Sequence, residues 1–306
     1  MIGAGLIGRA WAVVFARADW RVRLFDAVPA QLPAALLLIE QALIEQQHAG
    51  LVSDARSALQ RITGCATLAD AVAGAGWVQE NLPEDVAVKR TVFAELDRFA
   101  LPDALLASST SAIVASHFTG ELKGRGRCLV AHPVNPPHLV PVVELCGAPW
   151  TSEATLNRAC ATMAAVGQIP IIVRREIDGF VLNRLQGALL SEAMRLVADG
   201  VVSPDDLDKT VRDGLGMRWS FMGPFETIEL NAPGGVADYC ARYSGFYRRL
   251  AADPPAGSVW EGDSAARVTN ALGAPLTPAE REQRTARRDR RLLALRRHKL
   301  DIESQN

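Results

Sequence analysis

The segment Gly3-Ala4-Gly5-Leu6-Ile7-Gly8 constrains this chain more than any other, because three glycines in a G-x-G-x-x-G spacing are followed by a matching acid at Asp26. Leu6 to Ala18 reads as a helix with Ile7, Ala10, Trp11, Val14 and Phe15 on one face. Arg21 to Phe25 alternates as a strand and delivers Asp26 at its carboxyl end. Turn, helix, strand and acid, in that order, form the pattern of a dinucleotide-binding fold. Gly3 permits the tight turn, Gly5 lets the backbone approach a pyrophosphate, and Gly8 lets helix and strand pack closely. The N–H groups at the helix start then face the phosphates. A carboxylate at Asp26 accepts hydrogen bonds from ribose hydroxyls and repels a 2′-phosphate, so NAD is expected over NADP. Such a turn normally follows a buried strand of roughly five residues, and here only Met1 and Ile2 precede it. Further apolar residues are therefore expected upstream in the native protein.

With 306 residues, half of them apolar, and a net charge of -1, the composition is that of a globular protein large enough for two domains. No run approaches the roughly 18 apolar residues of a membrane helix, and no leader precedes the first glycine. Neither a membrane nor a nucleic-acid partner is expected. Cys65, Cys128, Cys146, Cys160 and Cys240 are scattered and odd in number, which predicts reduced, packed thiols in a cytoplasmic protein and no metal site.

After Asp26 the chain alternates amphipathic helices (31–50, 53–60, 68–73, 85–98, 152–166) with short apolar strands near 61–62, 77–79, 104–107, 128–131 and 170–173. This predicts an α/β domain with a doubly wound, mainly parallel sheet of Rossmann type. From Gly179 onward only helices are expected, at 180–199, 204–213, 223–230, 235–252, 265–271 and 278–300. The division is therefore placed as a nucleotide-binding domain over 1–175 and an all-α substrate and dimerisation domain over 176–306. The basic stretch from Arg281 to Lys299 lacks interleaved aromatics and carries Leu292, Leu293, Leu295 and Leu300, so it reads as a helix with a packing stripe and a solvated face.

Open α/β sheets bind ligands beyond the carboxyl ends of their strands. Two such ends carry polar residues, Ser108-Ser109-Thr110-Ser111 and His132-Pro133-Val134-Asn135-Pro136-Pro137, with Glu144 twelve residues after the histidine. Oxidising a secondary alcohol needs a base for the hydroxyl proton, which suits histidine. A carboxylate on the other ring nitrogen would fix the tautomer.

The phrases SSTS, AHPVNPPHLVPVVEL and GFVLNRL, in that order, resemble the 3-hydroxyacyl-CoA dehydrogenase superfamily. GLGMRWSFMGPFETIELNAPGG and YCARYS resemble its branch containing lambda-crystallin and L-gulonate 3-dehydrogenase. The resemblance implies His132 as general base, Glu144 as its orienting carboxylate, and Ser111 and Asn183 as groups that hold the substrate oxygen. Beside the motif glycines Gly3, Gly5 and Gly8, it further implies cofactor contacts at Leu6, Ile7, Asp26, Glu84 and Lys89; without the resemblance Lys89 reads as a solvated helix residue. Asn135 and Arg218 are expected to meet substrate, and the implied assembly is a homodimer. Asp178 stands where acyl-CoA members commonly have proline.

The expected reaction is the NAD-dependent oxidation of a small 3-hydroxy acid, L-gulonate to 3-dehydro-L-gulonate. The alternatives are a 3-hydroxyacyl-CoA dehydrogenase, a carnitine 3-dehydrogenase, or a crystallin-like structural role. CoA carries several phosphate charges, yet between Asp26 and Lys89 the only cations of the Lys or Arg type are Arg56 and Arg61.

Overall fold

The computed structural model describes residues 1–303, which divide into two compact units. The first comprises Met1–Asn183 with the last helix from Ala279, and the second is Arg184–Pro278. In the first unit the elements run α1 (Leu6–Arg17), β1 (Val22–Leu24), α2 (Gln31–His48), α3 (Ala55–Gln60), β2 (Ile62–Gly64), α4 (Leu68–Val72), β3 (Trp77–Glu80), α5 (Val86–Phe99) and β4 (Leu105–Ser108). They continue through α6 (Ser116–Thr119), β5 (Cys128–Pro133), β6 (Val142–Gly147), α7 (Glu153–Ala165) and β7 (Ile169–Val173), after which α8 (Leu182–Ala198) starts in the first unit and runs on in the second. The second unit contains α9 (Pro204–Lys209), α10 (Gly216–Trp219), α11 (Pro224–Leu230), α12 (Gly235–Ala251) and α13 (Gly262–Leu272), and α14 (Pro278–Glu303) closes the described chain.

Strands β3-β4-β5-β6-β7 form one sheet and β1-β2 a second, with every pairing parallel except β5 with β6. Ile2 makes parallel bridges to both Phe25 and Glu80, so this residue stands between the two sheets where a central strand would run. Side chains alternate across the strands and feed two cores. Leu105, Ala107, Leu129, Ala131, Val143 and Leu145 pack with Trp11, Phe15, Ile39, Leu43 and Met163 on one face. Leu106, Val130, Cys146 and Val78 pack with Phe93, Leu96, Phe118 and Phe180 on the other. Helices therefore cover both faces of the sheet.

Two expectations need correction. The strand β6 was not anticipated, because the proline-rich approach from Pro133 to Pro141 masks its four buried residues. The compact units divide at Asn183, and α14 packs with the first of them, a grouping that chain order does not reveal. The last helix is recruited by Leu293, which is buried, and by Arg297, whose Nη1 donates to the carbonyl of Gly50 at 2.9 Å. Finally, Cys240 is exposed, not packed, and all five cysteines are unpaired. No helix among the described residues is long and apolar enough to cross a membrane.

Candidate active site

The start of α1 is uncapped, as is that of α2, but only α1 is entered through the glycine turn. Helices α3, α4, α5 and α7 are each capped by a side chain, from Asp54, Thr67, Asp85 and Ser152 respectively. Helix α1 begins at Gly5 with no side-chain cap and no acid in its first turn. A Cβ on Gly5 would project into open space, whereas one on Gly3 (φ +91°) would come within 2.9 Å of the Asn81 carbonyl, and one on Gly8 would collide with the carbonyl of Gly3. The three glycines thus differ in their surroundings: a left-handed turn at Gly3, open space at Gly5, and at Gly8 close packing against the turn's own backbone. A diphosphate fits this uncapped, positively polarised helix end. Leu6 is exposed and Ile7 half-buried beside it. Asp26 frames the same turn, its Oδ2 accepting from the Ala4 N–H at 2.8 Å and its Oδ1 from the Val28 N–H at 2.9 Å.

Histidine and carboxylate meet across a strand pair. In the antiparallel register of β5 and β6, His132 lies directly opposite Glu144, and directly opposed side chains are the closest pairs in such a ladder. His132 Nδ1 and Glu144 Oε2 are 2.7 Å apart, both side chains being almost completely buried. The other carboxylate oxygen accepts from the N–H groups of Val181 at 2.8 Å and Leu182 at 2.9 Å, at the start of α8. Burial acts to raise the Glu144 pKa. Hydrogen bonds from His132, Leu182 and Val181 outweigh it, so the net direction is downward and the group stays ionised. The ring of Phe180, fully buried and held at φ +47°, lies 5.5 Å from the imidazole. With Nδ1 held by the carboxylate, Nε2 is the nitrogen left to exchange a proton.

The loop after β4 is gripped from both ends. Glu84 Oε1 accepts from the Thr110 hydroxyl and from the N–H groups of Ser111 (3.1 Å), Ala112 (2.8 Å) and Ile113 (3.2 Å). Asn183 Nδ2 donates to the Ser111 carbonyl at 2.9 Å. Ser111 is therefore fixed through its backbone while its exposed side chain stays free of these contacts. Behind it, Ser109 accepts from Trp11 Nε1 (3.0 Å) and Gln79 Nε2 (2.7 Å) and donates to Asn81 (2.7 Å), tying the ends of β3 and β4 to α1.

Lys89 is not a solvated residue. It is fully buried, and its ammonium donates to both oxygens of Glu80 (3.1 and 3.0 Å) and to Ser108 (3.5 Å), with Glu84 at 3.9 Å. Glu80 and Ser108 are register partners on β3 and β4; the sequence points to Ser108 only as part of the polar strand end, and to Glu80 not at all. The signal was present in two places. Glu80 ends a fully buried strand, where a carboxylate demands a partner, and Lys89, Phe93 and Leu96 share one helix face at i, i+4 and i+7. Asn135 is exposed in the loop after β5 and joined to Pro136 by a cis peptide. Arg218 belongs to the second unit, on the short α10, where it is exposed and has no acidic partner within 4.0 Å among the described residues.

Residues 1–177 match the NAD-binding domain of 3-hydroxyacyl-CoA dehydrogenase, and residues 179–257 match the C-terminal domain of the same family. The chain belongs to the 3-hydroxyacyl-CoA dehydrogenase family. It is 43% identical over 292 residues to lambda-crystallin of Oryctolagus cuniculus, covering 94% of this chain and 91% of that one. It is 37% identical over 244 residues to an L-carnitine dehydrogenase/betainyl-CoA thioesterase of Rhizobium sp, which spans 79% of this chain and 48% of the relative. A solved structure of 5-formyl-3-hydroxy-2-methylpyridine 4-carboxylic acid 5-dehydrogenase, an NAD+-dependent dismutase, superposes with a TM-score of 0.84 at 28% identity, covering 97% of this chain and 96% of that one. As a member of this family the chain is an NAD-dependent oxidoreductase acting on CH–OH groups, with a Rossmann-type first unit.

Proposed function

We propose that this protein oxidises the 3-hydroxyl of a small free hydroxy acid, L-gulonate to 3-dehydro-L-gulonate, with His132 as general base. The observation that carries the base assignment is the His132–Glu144 pair, in which every carboxylate oxygen already has a partner and only Nε2 remains for the substrate proton. Bound NAD supplies the hydride acceptor. His132 takes the hydroxyl proton at Nε2, and Glu144 stabilises the imidazolium that results. Ser111 and Asn183, linked by one hydrogen bond, hold the substrate oxygen. The turn at Gly3, Gly5 and Gly8 with Leu6, Ile7 and Asp26 takes the adenosine diphosphate half of the cofactor. Glu84 and Lys89 act from the neighbouring strand end, through the Ser111 loop and the Glu80 pair respectively.

Substrate choice rests on charge. Helix α2 contains no Lys or Arg, and of the two arginines between Asp26 and Lys89, Arg61 is paired with Asp19 at 2.6 Å. This region offers little to the phosphates of CoA. Arg218, without an acidic partner among the described residues, is available to a substrate carboxylate, as Asn135 is to its hydroxyls. Identity to lambda-crystallin over almost the whole length supports the same branch. A homodimer formed through the second unit accounts for its exposed Met217, Phe221, Phe225 and Leu230, each more than two-thirds exposed.

The test is NADH formation over L-gulonate, 3-hydroxybutyrate, L-carnitine and 3-hydroxybutyryl-CoA, with wild type and His132→Asn in parallel. Preference for L-gulonate, abolished in the variant, supports the proposal. A strong preference for the thioester would overturn the free-acid assignment, and a fully active variant would overturn the base. Analytical ultracentrifugation tests the dimer, and a monomer at micromolar concentration would refute it.

A further inference from the structure

Away from the catalytic groups, one polar cluster in the first unit lacks the charge that its surroundings demand. Arg17, the last residue of α1, donates through Nη1 to Gln46 Oε1 at 2.8 Å and to the carbonyl of His138 at 2.7 Å. Arg296, from α14, donates through Nη1 to that same carbonyl at 2.8 Å and through Nη2 to the Gly167 carbonyl at 3.2 Å. Two guanidinium groups are thus held within a few ångströms of each other on a single oxygen, and neither has an acidic partner within 4.0 Å among the described residues. The acid that acts on this region, Asp289, is hydrogen-bonded to Arg288 at 2.7 Å.

The unmet hydrogen bonds gather in the same segments. Arg17 Nη2 and His138 Nδ1 are buried with no partner, as are both polar atoms of the Gln168 side chain, in the residue following the carbonyl that receives Arg296. Buried polar atoms without partners are uncommon and point to a missing group. The electrostatics agree. Burial, then the charge of Arg296, pushes Arg17 down to about 9, and burial lowers Arg296 as well. Burial, then Arg17, pushes His138 down to about 4. All three groups lean away from their protonated forms, Arg296 through burial alone, and Arg17 and His138 through burial first and neighbouring positive charge second.

We propose that this cluster is a binding site for a small inorganic oxyanion, held by Arg17 and Arg296 with the amide of Gln168. Guanidinium N–H groups match oxyanion geometry through paired, charge-assisted hydrogen bonds. A protonated oxyanion such as hydrogen phosphate also carries a donor for Gln168 Oε1, which a halide lacks. Bound there, the anion would fasten α14 and the β5–β6 loop bearing Asn135 onto the end of α1. The site is separate from the glycine turn and does not depend on the substrate assigned above.

The experiment is thermal unfolding of the full chain saturated with NADH, so that the dinucleotide phosphate site is filled. Inorganic phosphate, sulfate and chloride are titrated separately at ionic strength held constant with sodium HEPES. The expected result is a saturable rise in Tm with phosphate, weaker or absent with chloride, following the logarithmic dependence of a single ligand site. Arg17→Met and Arg296→Met should each lose the saturable part. A rise that never saturates, or one that persists unchanged in Arg17→Met, overturns the proposal. If those variants fail to fold, wild-type crystals soaked in arsenate, which keeps a proton at neutral pH as phosphate does, provide the second measurement. Anomalous density within hydrogen-bond distance of Arg17 Nη2 supports the site, and its absence at saturating arsenate refutes it.

Discussion

Replacing Glu144 with Gln should invert the His132 tautomer, and the reason lies in which oxygen is already committed. Two backbone N–H groups, from Val181 and Leu182, converge on Oε1. The amide oxygen of the variant must sit there, because the reversed amide would face its NH2 toward two donors and leave them unsatisfied, at about 1–3 kcal/mol each. The amide nitrogen then occupies the place of Oε2, 2.7 Å from His132 Nδ1, and donates to it. With Nδ1 now an acceptor, the ring proton moves to Nε2, and that nitrogen can no longer take a proton from the substrate. The equivalent inversion in a Ser–His–Asp triad costs about 10⁴-fold. Here kcat should fall by about 10³- to 10⁴-fold, or roughly 4–5.5 kcal/mol of barrier. Steady-state NADH formation measures it, and NADH affinity by fluorescence should be unchanged. A variant retaining more than about a tenth of wild-type kcat would refute the tautomer argument, since that loss is below the ordinary range for a general base.

The same carboxylate sets an acid limit. Because its folded pKa is lowered, its contribution to stability is complete above the unfolded carboxylate value of about 4.3 and is lost as pH falls through the lower folded value. Wild type should therefore lose Tm more steeply below about pH 4 than Glu144→Gln, whose amide does not titrate. Parallel slopes in that window would show that the pair is not the source.

Asp26→Ala should narrow a preference for NAD over NADP of at least about tenfold, or roughly 1.4 kcal/mol, as measured by kcat/KM. It should also raise KM for NAD, since the carboxylate accepts from Ala4 and Val28 N–H groups in the turn; equal use of both cofactors by wild type would sink this assignment. Glu84→Ala should lower kcat/KM for the hydroxy acid by up to about 10²-fold through misplacement of Ser111, while Glu84→Gln, which keeps the accepting oxygen, should be far milder. Equal defects in the two variants would show that charge, not loop geometry, is what Glu84 supplies. Arg218→Met should raise KM for free hydroxy acids strongly and leave NADH affinity intact, with Lys rescuing only in part because it lacks the planar fork. Unaltered kcat/KM for L-gulonate in the Met variant would remove Arg218 from the substrate site.

The glycine turn was legible because its reasons are local. A positive φ at Gly3, a collision at Gly8 and open space at Gly5 are properties of six consecutive residues, and their spacing alone announces them. His132 and Glu144 stood out as candidates at a strand end, but their pairing came only through resemblance. Nothing in a twelve-residue separation says that the chain reverses and brings the two into opposite register, and β6 itself was missed. The buried Lys89 lies between these cases. Its helical spacing with Phe93 and Leu96 pointed inward, but an ammonium on an apolar face reads as solvated until its acceptor is known. That acceptor, Glu80, stands on a strand where sequence gives burial but no partner.

Helix α14 carries the argument furthest. Its arginines looked like a solvated face because charge in a sequence says nothing about which carbonyl it will meet. Arg296 and Arg297 reach carbonyls at His138, Gly167 and Gly50, the last of these 247 residues away along the chain. Backbone carbonyls leave no trace in a side-chain pattern, so such contacts are invisible before folding. A carbonyl also cannot neutralise a cation. Where two guanidinium groups share one, as Arg17 and Arg296 do, positive charge is drawn partly out of water with no acid paired to it. That residual charge is why this corner of the first unit should respond to anions, and why the response should disappear with either arginine.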